Sequence, residues 1–168
     1  MPRQSSGAVA LAVALAVAGC SVPPAPGPQS GRGTLLPADG DGAALVAVTN
    51  RERARAGLGA LRTNDALERA ARIQAEQIAT AGRLEHTVAG ADYPRLEDRL
   101  AAVGYTWRTV AENLAFGQSD AAGTVGTWMA SASHRGNILN AEFAETGGAR
   151  VVDRNGRWYY VQVFARPQ

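Results

Sequence analysis

The 168-residue chain has no lysine, one cysteine and two histidines, and each shortage closes off a class of answer. All 17 basic residues are arginines, interleaved with 15 acids rather than gathered into blocks. No basic run, aromatic-basic platform or phosphate-cradling glycine motif accompanies them, so a pI near 9.1 does not point to nucleic acid as a partner. A lone cysteine permits no intramolecular disulfide, and the fold must stand on its core alone. No internal repeat is visible. Any histidine chemistry is confined to His86, in GRLEHT, and His134, in SASHRGNIL.

What is present divides the chain into three parts. Arg3 lies in a short polar start and is followed by an apolar run from Ala8 to Val17 that ends in VAGC. That run is too short for a permanent bilayer span and reads as a signal peptide over residues 1–19. LAVAGC is similar to a bacterial lipobox, which predicts cleavage before Cys20 and a lipid on its sulfur; the plain alternative is an ordinary secretory signal cut nearby. Both place the rest of the chain outside the cytoplasm. Residues 20–41 are rich in Pro, Gly and small polar residues and read as a tether, able to reach roughly 60 Å if extended like polyproline II. The folded domain is expected over 42–168.

Within it, helical periodicity predicts a first helix over Ala43 to Ala56, with Leu45 and Val48 inward. A second begins at Asp65, with Glu68 completing a capping box, carries Leu67, Ala70, Ala71, Ala75 and Ile78 on one face, and stops at Gly82. A third runs from Pro94 through Leu96, Leu100 and Val103 to Gly104. A strand-like YTWRTV leads into AENLAFG. Ser119 or Asp120 then caps a fourth helix with Val125, Trp128, Met129 and Ala132 at i, i+3, i+4 and i+7. The tail changes period: GGARVV and RWYYVQVF flank DRNG, and Asn155-Gly156 predicts a type I′ hairpin. Helices first and a hairpin last make an α+β layered domain.

Four polar positions carry the chemical interest: His86, Glu112, Ser131 and His134. Imidazoles and carboxylates bind metals and move protons near neutral pH. Glu112, set among apolar residues in VAENLAF, needs partners if buried and reads either as a site carboxylate or as a loop brace. Trp128 and Met129 read as core, and Arg135 as an ion-pair or helix-end partner. Ser131 and Ser133 near His134 suggest a Ser-His pair, but no G-x-S-x-G elbow surrounds them, which argues against a serine hydrolase.

In order, TNRERARAGLGAL, LERAARIQAEQIATAGRLEHT, AENLAFG, WMASASHRGNIL and YYVQVF make the chain resemble the CAP superfamily (cysteine-rich secretory proteins, antigen 5, pathogenesis-related 1) in its short bacterial form, from about Leu45 to Phe164. The resemblance implies a three-layer α-β-α sandwich with a central antiparallel sheet. It also implies a cavity lined by two histidines and two glutamates. Carried over by position, these are His86, Glu112 (with Ala111 where the family's G-E-N-L motif has glycine) and His134, while Ser131 stands where the second glutamate usually lies. His86 and His134 with a carboxylate and water would make a ligand set for Zn²⁺. The family shares no accepted enzymatic activity, so the resemblance leaves enzymatic activity open. The leading expectation is a lipoprotein anchored through Cys20 that binds an unknown envelope ligand or protein through His86, Glu112, Ser131 and His134, with Zn²⁺ as the one candidate cofactor. The alternatives are a zinc-dependent hydrolase of envelope peptide or glycan, in which Glu112 polarises water, and a purely structural polar network.

Overall fold

A computed structural model describes residues 41–168. The expected signal segment (1–19), Cys20 and the tether (20–41) lie outside the described residues, except Asp41, which opens the first helix.

The elements run α1 (Asp41–Arg55), β1 (Arg62–Thr63), α2 (Asp65–Ala81), α3 (Leu96–Ala102), β2 (Trp107–Phe116), α4 (Ala121–Ala130), α5 (Ala132–Ile138), β3 (Glu145–Val152) and β4 (Trp158–Pro167). One sheet has the strand order β1-β3-β4-β2. β4 is central and pairs antiparallel with both β2 and β3, while two-residue β1 adds a short parallel edge that its sequence does not announce. The seven consecutive buried residues Tyr159 to Ala165 on β4 face both layers alternately. Val161 and Val163 pack with Leu67, Ala71, Ile78 and Leu100 of α2 and α3. Tyr160 and Phe164 pack with Leu45, Val125, Trp128 and Ile138 of α1, α4 and α5. The result is the α-β-α sandwich expected from the sequence, closed on each face by its own apolar cluster.

Several local expectations shift. Asn64, not Asp65, caps α2, its Oδ1 accepting from the N–H groups of Ala66 at 2.9 Å and Leu67 at 3.4 Å, and Asp65 contributes its charge to the first turn. Pro94 lies before α3 rather than in its first turn. The fourth helix is two: Ser131 is extended (φ −96°, ψ 125°), so α4 ends there and α5 restarts, which places His134 inside a helix. The hairpin is not type I′. Among its loop residues only Gly156 has positive φ (75°), because Asp153 Oδ1 accepts from the N–H groups of Asn155 and Arg157, holding an Asx-type turn that leaves one left-handed position for glycine. The helices sit very close to the sheet where glycine allows it: a Cβ on Gly147 would stand 2.1 Å from the Glu68 nitrogen on α2.

Candidate functional site

The site forms on β2, the edge strand, where the two helical layers both reach the sheet margin. Alternation along β2 turns Glu112 to the α2-α3 side and Asn113 to the α4-α5 side. Each then receives a histidine-bearing segment from its own layer.

On the first side, Gly82 ends α2 in the left-handed conformation (φ 66°), and the chain turns into the loop that carries His86. His86 Nδ1 lies 3.0 Å from Glu112 Oε1. With a carboxylate oxygen opposite, Nδ1 carries the hydrogen, which leaves Nε2 as the unengaged ring nitrogen. The other carboxylate oxygen, Oε2, accepts from Arg99 Nη2 at 2.7 Å. The exposures show what this chain of contacts does: the side chain of Arg99 is 0% exposed, that of Glu112 3% and that of His86 62%. A buried ion pair holds an imidazole whose ring is largely in solvent. Hydrogen bonding to Glu112 raises the His86 pKa above its ordinary value against the opposing effects of burial and of Arg99.

The loop itself is pinned from beneath. Gln74, fully buried on α2, donates to the carbonyl of Glu85 at 2.7 Å and, longer, to that of His86 at 3.4 Å. Gln77 donates to Tyr93 O, and Arg99 Nη1 reaches Pro94 O at 3.2 Å. The loop's carbonyls are thus satisfied by side-chain donors instead of a ladder, which fixes where His86 stands.

On the second side, His134 is held by its main chain: its carbonyl accepts from Asn113 Nδ2 at 3.1 Å, and Asn137 Nδ2 in turn bonds Asn113 Oδ1 at 2.8 Å. Its ring has no hydrogen-bond partner among the described residues. Burial, and secondarily the charge of His86, lower its pKa. Ser131 stands apart from them in bonding terms, its Oγ contacting Ser133 Oγ at 3.2 Å. The structure therefore links His86 to Glu112 directly and His134 to the same strand through Asn113, and it adds Arg99, Gln74 and Asn113, which the sequence reading did not select.

A zinc ion fits these residues incompletely. Catalytic zinc sites use three protein ligands. Here both oxygens of Glu112 are engaged, and among the described residues no group of three or more His, Cys, Asp or Glu side chains is placed to hold a metal. His86 Nε2 and the His134 ring are the donors left for one.

The profile of the cysteine-rich secretory protein (CAP) family matches residues 46–164. The Bacillus subtilis protein YkwD, itself described as uncharacterized, is 32% identical over 103 residues, a match that spans 61% of this chain and 39% of YkwD. Among solved structures, an outer surface protein of Borrelia burgdorferi superposes with a TM-score of 0.71 at 21% identity, over 80% of this chain and 98% of that one. An extracellular protein containing a SCP domain from Bacillus anthracis gives 0.68 at 24% identity, over 76% of this chain and 40% of that one. At such identities these two speak for the fold alone. The motif order, the sandwich and the family profile agree: this chain belongs to the CAP, or cysteine-rich secretory protein, family.

Proposed function

We propose that this protein is an extracytoplasmic CAP-domain module that binds a ligand or partner at the cell envelope through His86, Glu112 and His134, and that it is tethered there by a lipid on Cys20. The observation that carries the reading is the gradient from buried Arg99 through buried Glu112 to solvent-exposed His86. A histidine with only a structural role needs no exposed ring; here the buried charges orient an imidazole that faces outward. The description of the matching family as secretory supports placing the domain outside the cytoplasm, in keeping with a fold shared with an outer surface protein and an extracellular protein. A divalent metal, when bound, would be held by His86 and His134, with Glu112 supporting the His86 ring from behind. Because Glu112 is braced on both oxygens, the arrangement favours binding over water activation, and no hydrolytic step follows from it.

Calorimetric titration of Zn²⁺ into the full chain and into a His86→Ala/His134→Ala variant tests the site. Binding present in the first and lost in the second makes the histidines one metal site. Equal binding in both excludes them as its ligands, and no binding in either leaves a metal-free partner site. Fatty-acid labelling that survives Cys20→Ala would remove the lipid anchor from the reading.

A further inference from the structure

The main chain of β2 carries information that its side chains do not. Gly117 donates its N–H to Trp158 O on β4 at 2.8 Å, so the odd-numbered residues of this strand turn their main-chain groups toward β4. The carbonyl of Leu114 instead accepts from the Trp128 indole at 2.9 Å, so the even-numbered residues turn theirs to the free edge. By that alternation Val110 and Glu112 present both N–H and C=O, and Leu114 its N–H, away from the sheet, and none of these groups has a protein partner among the described residues. The stretch is bounded: the register slips between Trp107 and Thr109 at one end, and Trp128 caps the Leu114 carbonyl at the other. Glu112, as a whole residue, is 7% exposed against 3% for its side chain, so the little solvent that reaches it reaches main chain.

Resting on the reading of this edge as the binding site, we infer that its partner is a short extended peptide that pairs with β2 at Val110, Glu112 and Leu114 and thereby passes between His86 and His134. Alternating donors and acceptors at strand spacing are the complement of a peptide backbone and of little else. Three residues are too few for a full edge-to-edge dimer but suit a peptide of about three to five residues. Arg108, exposed at one end of the stretch and without an ion-pair partner among the described residues, favours a carboxylate on that peptide's end.

The test uses the full chain, labelled with ¹⁵N, and a blocked peptide pool, acetyl-Glu-X-X-X-Glu-amide, in which X is any residue but proline or cysteine. Selective shifts of the Val110, Glu112 and Leu114 amides are expected, absent with the same pool N-methylated along its backbone. Val110→Pro removes an outward N–H without touching the ladder and should weaken binding about tenfold; Arg108→Ala should weaken it a few-fold. Three amides that do not move at millimolar pool, or an N-methylated pool that binds as well, overturn the inference. Shifts of those amides on concentrating the protein alone overturn it in favour of a second copy. If the His86→Ala/His134→Ala variant binds the pool like the wild type, the edge pairing stands and the histidine reading falls. If Zn²⁺ perturbs both histidines while the pool moves nothing, the histidine site stands and the peptide falls.

Discussion

The ring of His86 is held by Glu112, whereas His134 is held at its carbonyl by Asn113 and its ring has no hydrogen-bond partner among the described residues; behind each segment lies a buried arginine. Arg99, 0% exposed, faces a carboxylate and the carbonyls of the His86 loop. Arg53, 2% exposed on α1, faces only carbonyls among the described residues: Gly59 O at 2.9 Å, Ile138 O at 2.8 Å and Asn140 O at 2.9 Å, the last two at the end of the His134 helix. One arginine serves as a charge and the other as a set of donors. The comparison separates the half of the site built around an ion pair from the half built by helix-end capping.

That contrast breaks most directly by removing the two guanidiniums in turn. Arg99→Met leaves the Glu112 carboxylate buried without its cation and should cost about 3 to 5 kcal/mol in urea unfolding. Arg53→Met leaves carbonyls without donors but no stranded charge, and should cost about 1 to 3 kcal/mol. Equal losses in the two variants would mean that the charge of Arg99 contributes nothing beyond its hydrogen bonds.

A finer probe is the titration of the two rings. In the folded protein His86 should titrate above its ordinary 6.5 and His134 below it, read from the ring proton shifts against pH. The linked stabilities have opposite signs. The contribution of His86 is complete below 6.5 and is lost as pH rises through its raised folded value; that of His134 is present above 6.5 and is lost as pH falls through its lowered one. Glu112→Gln removes the carboxylate behind both raising effects on His86 and leaves burial and the charge of Arg99, which lower it, so that titration should fall below 6.5, while His134 keeps its own, whose chief cause is burial. A His134 titration that moves as far as that of His86 would join the two halves into one coupled unit.

The same contrast shows what could be read from residues alone. The apolar periods of α2 and the β-branched tail announced their elements, because burial of one face is written at spacings of 3.6 and 2. Arg99 was legible too: with Leu96, Leu100 and Val103 at i, i+4 and i+7, an arginine at i+3 falls on the apolar stripe and calls for a buried partner. Gln74 carries the same signal, seven residues after Leu67 on the inward face of α2. Other features left no local trace. The stripe Val125, Trp128, Met129, Ala132 runs on in phase across Ser131, so periodicity could not mark the break between α4 and α5. The Asx turn at Asp153 competes with the type I′ reading of Asn155-Gly156 through side-chain bonds that the dipeptide does not encode. Which face of β2 each histidine would approach depended on the order of the strands, a tertiary fact.

The smallest expected effect concerns Ser131, which the family pattern puts where a second glutamate would lie. Its hydroxyl makes no cap bond to α5, and its one hydrogen-bond contact among the described residues is with exposed Ser133. Ser131→Ala should therefore change stability by less than about 0.5 kcal/mol. Asn64→Ala supplies the scale, since that side chain does cap its helix and its loss should cost about 1 kcal/mol. With Ser131→Ala, Zn²⁺ titration and the His86 and His134 ring shifts should also match the wild type. A loss comparable to that of Asn64→Ala would give Ser131 a share in holding α5. Altered metal binding at unchanged stability would instead put its hydroxyl beside the imidazoles as a site residue and extend the site onto the junction between α4 and α5.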